Sequence, residues 1–183
     1  MSEPGFAANP HPLSEFDLHL INHGNHERLF EVLGCHLFDQ GARFAVWAPN
    51  AQAVSVIGDF NGWAIGTTPL RKHDTCGVWE GFVPDLGENE RYKYAVTGAN
   101  GAVVEKSDPL GFASELRPNT ASVSTSVVRD LPQPDYERRM AYDAPMSIYE
   151  VHLGSWRKHE GWRFYSYDDL AEQLVDYVAD LGF

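Results

Sequence analysis

Between Gly41 and Val127 the chain keeps returning to one pattern: a short run of β-branched, aromatic and aliphatic residues, then a break made of Pro, Gly, Asn or Asp. The runs are Arg43-Phe-Ala-Val-Trp-Ala48, Ala53-Val-Ser-Val-Ile-Gly58, Val78-Trp-Glu-Gly-Phe-Val83, Arg91-Tyr-Lys-Tyr-Ala-Val96, Ala102-Val-Val-Glu105 and Ala121-Ser-Val-Ser-Thr-Ser-Val127. No helix-period segment is interposed. Short strands separated by turn chemistry predict an antiparallel β-sandwich of immunoglobulin-like size over residues 35–130, in a chain that is mainly β.

What flanks the sandwich reads differently. Residues 1–34 form an N-terminal extension: an extended or disordered lead to residue 15, with Pro4, Gly5, Pro10 and Pro12, then two brief helical segments. The first carries Phe16, Leu18, Leu20 and Ile21, the second Leu29, Phe30 and Leu33, closed by Gly34. Leu131-Pro-Gln-Pro-Asp135 heads a linker over 131–145.

Residues 146–183 read as one βα unit. Ile148, Tyr149, Val151 and Leu153 suit a parallel strand covered on both faces, ended by Gly154-Ser155. Ser166 then offers an N-cap with Asp169 three residues on, and Leu170, Leu174, Tyr177, Val178 and Leu181 share one helix face before Gly182. A lone βα unit cannot bury both faces of its strand, because a parallel partner normally follows each helix. The 183 residues are therefore expected to be a fragment of something longer.

A formal net charge of −12 argues against nucleic acid and anionic membrane surfaces as partners, and a neutral ligand fits better. No stretch has the apolar length of a membrane span, and the first thirty residues lack a basic and then apolar leader pattern, so a cytoplasmic setting is expected. Cys35 and Cys76 have no C-x-x-C spacing and read as two free or buried thiols. His19 and His23 stand at i, i+4 with no carboxylate or thiolate to complete a ligand set, so they read as a surface pair, and no metal is expected. Aromatic residues make up 13%, with five Trp and eight Tyr, which suits a protein that meets flat apolar faces such as pyranose rings, although much of it belongs to the core.

Gly58-Asp-Phe-Asn-Gly-Trp63 stands at a strand exit, where Gly and Asn permit a tight turn and Trp63 lies beyond it. Trp63 and Asn61 together offer an apolar face and a hydrogen-bonding amide, the minimum for an uncharged polyol; equally, Trp63 reads as an edge residue closing the sandwich end. Lys93, between Tyr92 and Tyr94, projects to the face opposite those tyrosines, either as a solvated lysine or as a donor beside Trp63. Trp47 and Trp79 lie inside strand runs and read as packing.

These residues carry a family resemblance. Arg43-Phe-Ala-Val-Trp-Ala-Pro-Asn-Ala51, Val54-Ser-Val-Ile-Gly-Asp-Phe-Asn-Gly-Trp63, Tyr92-Lys-Tyr94, Lys106-Ser-Asp-Pro109 and Arg117-Pro-Asn-Thr-Ala-Ser122 resemble the carbohydrate-binding module family 48 domain of glycogen branching enzymes. Ser147-Ile-Tyr-Glu-Val-His-Leu-Gly-Ser-Trp156, with the helix from Ser166 to Val178 and Leu181-Gly-Phe183, resembles the first strand and helix of their glycoside hydrolase family 13 (β/α)8 barrel, here truncated. The resemblance runs from about Asp17 to Phe183 with the motifs in order. The Asp-Phe-Asn-Gly-Trp turn alone would also suit debranching enzymes and kinase glycogen-binding domains; Tyr149-Glu-Val-His-Leu-Gly-Ser-Trp156 points to branching enzymes.

The resemblance implies a retaining transglycosylation without a cofactor: an α-1,4 glucan is cleaved, held on an aspartate and passed to a 6-hydroxyl. Such chemistry needs a nucleophilic carboxylate and an acid/base carboxylate, which family members carry after later barrel strands. No catalytic residue is assigned to this chain on that account, and the fragment alone is expected to be inactive. The implied partner is an α-glucan (glycogen, amylose or maltooligosaccharides), bound through Trp63, Asn61 and Lys93. Ser155 and Trp156 would stand near the barrel rim, where such active sites lie. The full-length protein would be a monomer. Similar kinase domains pair the Trp63 position with a second tryptophan, but here the corresponding region is Gly98-Ala-Asn-Gly-Ala-Val-Val104, so a one-aromatic platform with weak binding is expected. Two rivals remain: a stand-alone glycogen- or starch-binding module, and a non-catalytic scaffold.

Overall fold

The computed structural model of the chain describes residues 7–126, 143 and 145–183. They belong to two compact units, Met1–Arg129 and Asp130–Phe183. The expected linker over 131–145, apart from residues 143 and 145, lies outside the described residues, as do Val127 at the end of the last strand run and the first six residues of the lead.

The first unit is an antiparallel two-sheet sandwich. One sheet has the order β1-β2-β5-β4, from Gly34–Phe38, Gly41–Trp47, Val78–Pro84 and Arg71–His73. In the other, β3 (Ala53–Gly58) pairs one edge of β6 (Arg91–Thr97). The opposite edge of β6 is shared: β9 (Ser122–Val123) takes Arg91 and Tyr92, and β7 (Val103–Lys106) takes Tyr94 to Thr97. A short β8 (Ala113–Ser114) pairs β9. The chain between the sheets closes one side: Val56 N–H donates to Thr68 O and Leu70 N–H to Val54 O before the strand continues into β4.

Strand alternation sends Ala42, Phe44, Val46 and Trp79 from one sheet and Val54, Val56, Tyr92 and Tyr94 from the other into a common core. Tyr92 and Tyr94 bring hydroxyls with them, and both donate to Asp108 Oδ2, at 2.7 and 3.2 Å. Asp108 in turn accepts Leu110 N–H on Oδ1 at 2.9 Å, so the buried polar atoms satisfy one another. Burial raises the Asp108 carboxyl above its ordinary value, and burial beside Asp108 pushes the Cys35 thiol up to about 12. Both cysteines are free and buried, as expected.

From Asn9 to Leu13 the lead is more ordered than its composition suggests. Ala45 and Val78 are fully buried on the outward face of the first sheet, and that face needs a cover. Leu13, Val32 and Leu33 supply it, with Leu18 and Ile21 of α1 (Glu15–Asn22) packed alongside. Glu80 ties the cover down: Oε1 accepts Leu13 N–H at 2.8 Å and Asn9 Nδ2 at 2.9 Å, while Oε2 faces His73 Nε2 at 2.8 Å. Leu29–Glu31 forms a 3-10 turn, and Gly34, read from sequence as a helix stop, instead opens β1.

In the second unit the helix stands where expected. Here α3 (Tyr167–Asp180) is capped by Ser166, whose Oγ accepts Asp169 N–H while the Asp169 carboxylate accepts Ser166 N–H. The Ser166 hydroxyl, which donates to Asp169 Oδ2 at 2.7 Å, then the Ser166 N–H and His159 beside them, lower the Asp169 carboxyl to about 2. The expected strand over Ile148–Leu153 is not formed: residues 145–152 have no regular structure, and Leu153–Trp156 makes a short helix, α2. The physical reason is partnership, because a strand is held by a neighbour's hydrogen bonds and none of the described residues pairs with this segment. Ile148 is left 74% exposed.

Candidate functional site

The β3 exit builds a tight, well-braced turn. Asp59–Asn61 forms a single 3-10 turn, after which Gly62 and Trp63 both take φ of 61°. For Gly62 that conformation carries no steric penalty, but for tryptophan it costs roughly 1–3 kcal/mol. Hydrogen bonds hold it: Trp63 N–H donates to Gly58 O at 2.9 Å and Gly62 N–H to Asp59 O at 3.3 Å. The braced turn thus holds a partly exposed indole in a fixed place.

Asn61 is at the turn, but its amide is not available to a ligand as the sequence suggests. Nδ2 donates to Val56 O and to Thr68 Oγ1, each at 2.9 Å, and Oδ1 accepts Gly58 N–H at 3.0 Å. Both amide hydrogens and the oxygen are engaged in stitching the turn to β3 and to the crossing segment. Asn61 is thus a brace, and Trp63 is the group it presents.

The orientation of the indole is set from the other side. Its Nε1–H donates to Asp59 Oδ1 at 3.0 Å. Arg91, on β6, reaches across and donates Nε to Asp59 Oδ2 at 2.7 Å and Nη2 to Oδ1 at 3.0 Å, a two-pronged grip on one carboxylate. Its remaining Nη1 lies 3.4 Å from Glu115 Oε1. The Arg91 hydrogen bonds foremost, then the Trp63 indole, hold the Asp59 carboxyl below its ordinary range. With the indole N–H engaged on Asp59, the ring face is the part of the Trp63 side chain left without a hydrogen-bonding role.

Lys93 lies two residues along β6 from Arg91 and therefore on the same side of the sheet. Its register partner on β3 is Ile57, one step from Gly58 where the turn begins, and its ammonium stands 3.8 Å from Glu105 of β7. The strand pattern marks Lys93 but gives no signal for Arg91; the alternation that puts both on one face, with Asp59 in the facing turn, is the clue that could have found it.

Ser155 and Trp156 do not stand after a strand. Both belong to α2, where Ser155 Oγ donates to the His152 carbonyl at 3.3 Å and the Trp156 ring packs edge-on against Tyr177 of α3, centroids 5.6 Å apart. Arg157 lies over the Trp156 ring at 4.5 Å. No group of three or more His, Cys, Asp or Glu side chains placed to hold a metal occurs among the described residues, and no helix among them is long and apolar enough to cross a membrane.

Residues 32–111, which include Asp59, Asn61, Trp63, Arg91 and Lys93, match the family described as Carbohydrate-binding module 48 (Isoamylase N-terminal domain). The chain is 52% identical to a 1,4-alpha-glucan branching enzyme of Nocardia farcinica, over 93% of this chain and 24% of that protein. It is 48% identical to the corresponding enzyme of Pseudomonas aeruginosa, over 100% of this chain and 26% of that protein, and 46% identical to one from Xanthomonas campestris, over 93% and 25%. The chain thus spans about a quarter of the length of these relatives. Among solved structures, the pullulanase of Bacillus acidopullulyticus aligns at 28% identity and a TM-score of 0.44, over 51% of this chain and 12% of that one.

Proposed function

We propose that this chain is the N-terminal part of a 1,4-α-glucan branching enzyme, a cytoplasmic protein in which residues 32–111 hold the glucan and the carboxylates that transfer it lie further along the polypeptide. The observation that carries the reading is the identity of 46–52% with branching enzymes across nearly the whole chain.

The turn geometry gives this reading its physical content. A pyranose ring has an apolar C–H face and a rim of hydroxyls; the Trp63 face, locked by Asp59 and Arg91, matches the first, and Lys93 on the same side of β6 is placed to meet the second. One aromatic platform gives weak affinity, a Kd on the order of 0.1–1 mM, suited to holding a long polymer at many points in turn. Residues 146–183 would then open the catalytic domain, and Ile148–Leu153 would become a strand once neighbouring strands are supplied.

Retaining glycosyl transfer requires two carboxyl groups about 5–5.5 Å apart across the scissile bond, and the family resemblance puts them beyond the homologous quarter. The chain alone is therefore expected to be retained on immobilised amylose and eluted by soluble maltooligosaccharide. Incubated with amylose, it should add no α-1,6 linkages detectable by proton NMR. Flow-through on the amylose column would count against glucan binding, and new α-1,6 linkages would count against the placement of the chemistry.

A further inference from the structure

The other departure from the strand pattern is Trp47. A tryptophan inside a strand run is read as core, and Trp79 obeys, with 7% exposure and its Nε1–H on Ala48 O at 2.9 Å. Trp47 does not: at the end of β2 it is 58% exposed. Its side chain borders a cavity of 530 Å3 between α1, the 3-10 turn and the β4–β5 loop, within the range of small-ligand pockets.

The lining has two kinds of surface. Ile21, Leu29 and Pro49 are apolar, and Trp47 adds an indole whose Nε1–H already donates to Cys76 O at 3.0 Å, so that its face is what remains to offer. Asn22, Asp74 and Thr75 also line the cavity, and all three are exposed. Among the described residues, none of these three side chains makes a hydrogen bond or ion pair within the protein. The cavity thus combines a fixed aromatic face with an amide, a carboxylate and a hydroxyl that have no internal partner.

That combination selects a ligand class. An apolar peptide segment would leave the three polar groups unpartnered beneath it, which is costly. An anion meets Asp74 and a chain of net charge −12, and the lysine of the lining, Lys72, is already tied to Pro49 O at 2.9 Å. A neutral ring with one C–H face and several hydroxyls satisfies both surfaces. We infer that the Trp47 cavity is a second α-glucan site, separate from the Trp63 turn, with Trp47 as its stacking platform and Asn22, Asp74 and Thr75 as hydroxyl partners. The choice of α-glucan among neutral sugars rests on the function proposed above; the site itself rests on the cavity.

Two-dimensional 1H–15N NMR of the 183-residue chain, titrated with maltoheptaose, separates the two sites. In a Trp63→Ala variant, saturable shifts are expected to persist at the Trp47 indole N–H and at the backbone amides of residues 22–29 and 72–77. The paired surface changes Asn22→Ala and Thr75→Ala, which remove no packed side chain, should weaken that remaining binding about tenfold. Shifts confined in the wild type to residues 58–63 and 91, and absent from Trp63→Ala, would overturn the second site while leaving the first intact. Shifts near Trp47 that the Asn22/Thr75 variant leaves undiminished would also overturn it. No shifts anywhere would remove the glucan reading itself.

Discussion

The indole nitrogen of Trp63 lies 3.0 Å from Asp59 Oδ1, and the same carboxylate is held by Arg91 of β6. The partly exposed aromatic at the turn is therefore oriented through a charge pair that joins the turn to the neighbouring strand. Both partners are solvent-accessible, so the pair acts on where the ring points more than on how stable the fold is.

That linkage sets a pH dependence. Because the folded Asp59 carboxyl is depressed below its ordinary value of 3.8, the contribution of its ion pair is fully present above that value and is lost as pH falls through the lower, folded one. Glucan affinity is accordingly expected to be flat from neutral pH down to the ordinary carboxylate range and to fall below it. In Arg91→Ala, the Asp59 carboxyl 13C titration should move up toward the ordinary value, with weaker binding at neutral pH. An unmoved Asp59 midpoint would show that Arg91 does not control the carboxylate.

Asn61→Ala removes the acceptor of Gly58 N–H and the donor to Val56 O and Thr68 Oγ1 together. Groups left unpartnered in a half-buried turn cost about 1–3 kcal/mol, and Tm should drop by roughly 5–10 °C. If Asn61 were instead a direct sugar contact, thermal unfolding would be unchanged while affinity fell.

The core makes a separate prediction at Asp108. Asp108→Ala strands the Tyr92 and Tyr94 hydroxyls between the sheets, at a cost of about 2–5 kcal/mol measured by urea unfolding. Asp108→Asn keeps an acceptor oxygen and should lose less. Because burial raises this carboxyl, the folded state holds its proton more tightly than the unfolded chain does, so this group opposes folding as pH rises through its folded midpoint rather than on acidification. Equal destabilisation by Ala and Asn would mean that the hydroxyls do not depend on this acceptor.

Much of the sandwich was legible because alternation is a local signal: β2, β3, β5, β6 and β7 stand on the runs that announce them. Missing from the sequence reading are β1, β4 and β8: β4 and β8 are only three and two residues long, and β1, which pairs the adjacent β2, begins at the Gly34 that reads as a helix stop. Leu13 gave no sign of its burial, since its cover position depends on Glu80, 67 residues away. The same reasoning explains the opposite error at Ile148–Leu153, where composition suits a strand but pairing, a non-local property, is missing. At the site, Trp63 was visible as the aromatic beyond a Gly-Asn turn; the engagement of Asn61 and the grip of Arg91 on Asp59 depend on register between β3 and β6, which no single window of sequence displays.

The central claim, that the Trp63 turn is a glucan platform, is tested most directly by isothermal titration of maltoheptaose into the wild-type chain and Trp63→Ala. Loss of one stacked ring worth about 1–2 kcal/mol should raise the Kd of that site roughly five- to thirtyfold, with far-UV circular dichroism and Tm close to wild type. Equal affinity in the two proteins would contradict the account and make Trp63 a closing residue of the sandwich end.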